Sequence, residues 1–249
     1  MKKFFYLFLF ISASVFATDV SNPFVEGNNY YNNGKYEAAI TSYESVLASG
    51  QQSAELYFNL GNSYYKLHKV APAIYNFEKA LQLNPNDPEI QTNLEFAQKM
   101  AIDDIKVIPK VGFDKLLADF TSSYHYDTWA WIAVAFGFIF LCFFIGYYFS
   151  GTAFKKRIYF TGMFVVLILI IISVSSGIFE KNRLETEKSA IVFAETASLK
   201  GEPKATSQET ILLHEGTKVF ILESNANWRK VQLTDETTGW IEAESIKEL

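Results

Sequence analysis

The stretch AELYFNLGNSYYKLHKVAPAIYNFEKALQLNP, residues 54–85, repeats the pattern of the 34 residues before it. Gly27, Tyr30, Ala39 and Tyr43 return 34 positions on as Gly61, Tyr64, Ala73 and Phe77. A period of this length marks a helix-turn-helix unit that buries its apolar face only by stacking on a neighbour. The residue types follow from that packing: Gly61 and Ala73 are small where two helices approach closely, while Tyr64 and Phe77 fill the volume between them. The first copy departs from the second. Pro23 and Glu26 stand where the second has Tyr57 and Leu60, and Gln51 replaces Pro85, so the first copy reads as an N-terminal cap.

On Tyr57, Leu60, Gly61, Tyr64, Ala73, Phe77, Ala80 and Pro85 the second copy resembles the tetratricopeptide (TPR) family. The resemblance implies an all-α TPR solenoid over residues 18–106: two repeats closed by a capping helix over residues 89–105, with Ile90, Leu94 and Ala97 on one face. It also implies recognition of a peptide or protein on the concave face lined by the first helix of each repeat. The repeat register puts Asn28, Asn59, Asn62 and Asn93 on that face, with Phe24, Tyr31, Phe58, Tyr65 and Lys66. An Asn amide offers an acceptor and two donors, so it can bond the backbone of an extended peptide without selecting its side chains. Phe24 and Glu89 stand where a carboxylate clamp would carry cations, which speaks against a clamp. The same Asn series also reads as solvated helix surface.

The rest of the chain reads as a membrane protein. Lys2 and Lys3, the apolar run 4–16 and Val15-Phe16-Ala17 have the form of a secretory signal peptide over residues 1–17, with an uncleaved anchor as the alternative. Residues 129–149 and 158–179 are free of charge and long enough to cross a bilayer as helices. The loop between them, 150–157, holds Lys155, Lys156 and Arg157 and no acid, so the positive-inside rule puts it in the cytoplasm. Both soluble ends then lie outside, which predicts a multi-pass protein of the bacterial inner membrane with two periplasmic domains. Trp129, Trp131, Tyr147, Tyr148 and Tyr159 sit at span ends, where amphipathic rings favour the headgroup layer. Small residues four apart, Ala133 with Gly137 and Ser173 with Gly177, predict the place where the two helices come close. In the juxtamembrane segment 107–128, Phe113, Leu116, Leu117 and Phe120 recur at helical spacing, with Asp114 and Asp119 off the stripe. This short amphipathic helix reads either as lying on the outer leaflet or as docking against a partner subunit.

Beyond a charged linker, 180–188, five short alternating segments at 190–193, 210–213, 218–222, 228–233 and 239–241 predict a small all-β barrel over residues 189–249. Their order resembles a bacterial SH3-like domain, in which Gly216 and Gly239 would serve turns. Trp228 and Trp240 either pack structurally or line a shallow groove. After Phe193 come Ala194, Glu195 and Thr196, an incomplete aromatic row for polyproline recognition.

Residues 18–124 carry 13 acids against 8 Lys, and residues 180–249 carry 13 acids against 9 Lys and Arg. Acidic outer parts exclude nucleic acid as the expected partner, since the phosphate backbone needs clustered cations. The single Cys142 lies within the first span, and His68, His125 and His214 form no ligand or nucleophile spacing. No enzyme, cofactor or metal is therefore expected. The order signal peptide, TPR pair, two spans with a basic loop, and SH3-like domain resembles BatE-type proteins, the TPR and SH3 component of the Bacteroides aerotolerance (Bat) system. What the resemblance implies is a membrane-anchored extracytoplasmic scaffold or adaptor linked to oxidative stress, with von Willebrand A-domain Bat proteins among its partners. The competing reading is an envelope sensor that binds peptidoglycan through the SH3-like domain.

Overall fold

The computed structural model describes residues 22–105 and 112–249, so the signal-peptide reading falls outside the described residues. The chain divides into two compact units at residue 51. In the first, α1 (Pro23–Asn32) and α2 (Tyr36–Ala48) form one helical hairpin. Asn22 caps α1 by accepting from the Phe24 N–H, and Gly34, at φ +72°, makes the turn. Gly27 is obligatory at the crossing: a Cβ there would lie 2.4 Å from Cε1 of Tyr43.

The second unit repeats this design with α3 (Ala54–Lys66) and α4 (Val70–Leu83). Ser53 caps α3 through the Leu56 N–H, and a Cβ on Gly61 would meet the Phe77 ring at 2.7 Å. Leu56, Leu60, Ala73, Ile74, Phe77 and Ala80 make a fully buried seam. Helix α5 (Pro88–Gln98) starts at an Asp87 cap with Pro88 in its first turn and closes the seam with Ile90, Leu94 and Ala97. It ends seven residues before the expected limit at Ile105. The physical reason lies in tertiary contacts: Asp103 and Ile105 are drawn away to the β domain, where Ile105 packs against the core.

Helix α6 (Phe113–Thr121) precedes α7 (Tyr126–Phe149) and α8 (Ala153–Thr186), an antiparallel pair long and apolar enough to cross a membrane and thus a candidate membrane hairpin. Their outward side chains, such as Trp131, Phe138, Phe149 and Phe160, are open to the surroundings. The close approach does not use Gly137, whose Cβ position has no neighbour within 4 Å among the described residues. It runs through Gly146 under the Tyr159 ring, Gly162 under the Phe143 ring, and the expected Gly177 against Trp129 Cβ, with Ser173 buried one turn before it. At 34 residues α8 is about 50 Å long, against about 30 Å of hydrocarbon, so it outreaches a bilayer by several turns. In the last of these Glu180, only 2% exposed, holds Arg183 at 2.6 Å.

Seven strands follow: β1 (Ser189–Val192), β2 (Thr196–Lys200), β3 (Glu209–His214), β4 (Lys218–Asn225), β5 (Trp228–Gln232), β6 (Thr238–Glu242) and β7 (Ile246–Glu248). All pairs are antiparallel, in the order β3-β2-β6-β5-β4-β1-β7. Inward residues from six strands, including Val192, Leu199, Leu213, Val219, Val231 and Ile241, share one core, so the sheet is curled on itself. Strands β2 and β7 were not among the five expected: β2 alternates, but with only Ala197 and Leu199 as apolar positions, and β7 is three residues long, so each signal is short. Gly239 also departs from expectation. It lies within β6 rather than at a turn, and a Cβ there would sit 2.5 Å from Cγ of Leu199. Gly216 does serve a turn, at φ +91°.

Candidate functional site

On α3, Asn59, Asn62 and Lys66 recur at i, i+3 and i+7 and share a face. The structure joins this face to α5: Asn93 Nδ2 donates to Asn62 Oδ1 at 2.9 Å. Tyr65 is half-buried beside them and Lys66 is exposed, while Phe58 turns inward onto Phe77 at 5.9 Å between ring centroids. Asn59, Asn62 and Asn93 are each half-buried. The result is an amide platform spanning two first helices, able to meet a peptide backbone with both donors and acceptors. Asn28 has a different task. In its own unit its Oδ1 accepts from the Tyr43 hydroxyl at 2.7 Å and braces the hairpin.

The strand register decides the position of the two predicted tryptophans. Trp228 pairs with Glu242, Lys230 with Trp240, and Trp240 with Lys200. Side chains alternate along a strand, and Val231, Ile241 and Leu199 go to the core, so Trp228, Lys230, Trp240 and Lys200 share the outer face. Both rings are half-buried, and Lys200 Nζ lies 5.6 Å from the Trp228 ring centroid. The strip is aromatic and cationic, with Glu223 and Glu242 at its margin. Phe193 takes no part in it: its ring stands edge-on to Tyr75 of α4 at 5.7 Å.

That last contact belongs to a seam between α4 and the β domain that sequence reasoning missed. Asp103 is its centre. One carboxylate oxygen accepts from the His214 N–H at 2.7 Å and from Thr217 Oγ1 at 2.6 Å, and the other lies 2.7 Å from His214 Nδ1. Burial opposes ionisation of Asp103, but these hydrogen bonds, led by Thr217, outweigh it and hold the carboxyl below its ordinary range. The Thr217 hydroxyl donates to the carboxylate and not to the imidazole, so the trio is a structural clasp and not a nucleophile with its base. Beside it Lys218 Nζ reaches Glu78 at 2.6 Å, and Lys247 Nζ caps the Tyr75 ring at 4.2 Å. Burial, helped by the charge of Lys247, lowers the pKa of Lys79. Gly216 is pressed to the repeat: a Cβ would lie 3.0 Å from both Ile74 and Val70 side chains. A cleft of about 750 Å³ runs along the seam, lined by Glu95, Lys99, Asp104 and Phe220 among others. The signal in the sequence was slight, no more than two adjacent aspartates at the end of a helical pattern.

The comparisons agree with this division. Residues 54–87 match the tetratricopeptide repeat family, and residues 27–68 match a second family described as TPR repeat. Residues 194–248 match the bacterial SH3 domain family. None of the curated proteins searched matches the chain. The chain thus carries TPR repeats and a bacterial SH3 domain, two module types that bind proteins or peptidoglycan and are typically not enzymes.

Proposed function

We propose that the chain is a membrane-anchored scaffold that holds an extended segment of a partner protein on the α3 and α5 face, with Asn59, Asn62, Asn93, Tyr65 and Lys66 as its contacts. The observation that carries this reading is the docking of the β domain on α4. It covers the second-helix side of the repeat through Asp103, Glu78 and Tyr75 and leaves the first-helix side, with its joined amides, for a ligand. The same contact supports a hairpin topology, because domains on either side of the two apolar helices can meet only on one side of a membrane. With Lys155, Lys156 and Arg157 in the cytoplasm, that side is the periplasm of a bacterial inner-membrane protein. The order of modules supports a Bat-type aerotolerance complex, with von Willebrand A-domain proteins as partners.

A second reading, an envelope sensor binding peptidoglycan, is favoured by the outer strip of Trp228, Trp240, Lys200 and Lys230, since rings that stack on sugars and cations that meet carboxylates suit a wall fragment. Quantitative pull-downs by the full chain, from membrane extract and with purified cell wall, separate the two. Changing Asn59, Asn62 and Asn93 to Ala is expected to reduce capture of membrane partners, each lost hydrogen bond weakening binding by about 0.5 to 1.5 kcal/mol. Undiminished capture by that variant, with loss on changing Trp228 and Trp240 to Ala, sinks the first reading in favour of the second.

A further inference from the structure

Helix α6 has an apolar face that nothing among the described residues covers. Phe113 is 75% and Leu116 68% exposed, with Leu117 and Phe120 open beside them. At 100° per residue these four span less than a third of the helix circumference, and Lys115 lies on the opposite side. The helix is nevertheless held in place. Its last residue, Thr121, is buried and its carbonyl accepts from Trp129 Nε1 at 2.9 Å; the Phe120 and Tyr124 rings pack on Trp129 at 5.4 and 5.5 Å. Trp129 in turn rests on Gly177 of α8, and Asn86 Nδ2, at the end of the repeat, donates to the Ser123 carbonyl at 2.6 Å. The helix is thus braced across the ends of the two apolar helices, directly beneath the repeat.

We infer that α6 is an in-plane membrane helix whose Phe113, Leu116, Leu117 and Phe120 are seated in the lipid headgroup and acyl boundary of the leaflet on the TPR side. This rests on the reading of α7 and α8 as membrane spans. The occupant is lipid because α6 leads within four residues into α7, where Trp131 and Phe138 are open, and its Phe120 packs on Trp129 of that helix. A stripe of four apolar side chains with a short polar back is the pattern of an interfacial helix. With two aspartates against one lysine, α6 enters by its apolar side chains and not by attraction to anionic lipid.

The test uses the full-length protein in phosphatidylcholine nanodiscs, with Cys142→Ser and a single cysteine carrying an environment-sensitive fluorophore at position 116, 117, 115 or 138. Nitroxide lipids labelled near the headgroup are expected to quench the probes at 116 and 117 at least threefold more than the probe at 115. Equal quenching at 115, 116 and 117 would overturn the proposal and leave the stripe to a protein partner. The probe at 138 keeps the two readings apart. Quenched there by mid-chain nitroxide, it upholds the spans whatever α6 does; unquenched there, it overturns the spans and the interfacial helix together.

Discussion

Replacing Asp103 with Ala tests the seam between the repeat and the β domain at its centre. Three donors converge on this one side chain at 2.6 to 2.7 Å, and the carboxylate is 13% exposed. Hydrogen bonds to a charged group contribute about 1.5 to 3 kcal/mol each, but water can reach donors vacated at a partly open edge, so the three cannot be summed. Taking one such bond as the net loss gives about 2 kcal/mol, or roughly a 30-fold shift from docked to undocked. Ala101 packs toward Gly216 within the seam, which makes a thiol placed there a reporter of opening. With Cys142→Ser and Ala101→Cys in the full chain, Asp103→Ala is expected to speed thiol modification about 30-fold. A cysteine at the exposed Lys99 should show no change. A rate at position 101 within twofold of the parent would refute the clasp, and with it the support that docking gives to the topology.

The Asp103 carboxyl is held below its ordinary range, so its contribution to stability is complete above about pH 4 and is lost as pH falls through the lower folded value. The Tm gap between wild type and Asp103→Asn should therefore close as pH falls below about 4, and a gap that grows there contradicts this sign. Gly61→Ala pushes a methyl group to 2.7 Å from the Phe77 ring and should cost about 1 to 3 kcal/mol, read as faster hydrogen exchange across α3 and α4. Unchanged exchange there would mean the crossing is looser than the geometry says. Reporter fusions at Lys99, Lys155 and Leu249 are expected to score periplasmic, cytoplasmic and periplasmic, and an active cytoplasmic reporter at Leu249 removes the hairpin topology.

The elements that the sequence determined by itself are those whose packing is local. Gly27 under Tyr43 and Gly61 under Phe77 are each 16 residues apart, and the helix-turn-helix geometry that brings them together is repeated, so the requirement is written twice at one period. The two apolar helices, the candidate membrane spans, were legible for a similar reason, since each is a single unbroken run of sufficient length and apolar composition. Trp228 and Trp240 could be picked out, but not their common face, which depends on strand register. Other features were settled only by tertiary structure. Asp103 and His214 are 111 residues apart and meet through polar contacts, which carry no period. Gly239 resembles a turn residue until Leu199 is found lying over it, and Gly137 resembles a packing site until its Cβ position is found to have no neighbour among the described residues. For Asp103 and for Gly239 the deciding partner comes from a distant segment, and short-range patterns record only the forces that act between near neighbours in the chain.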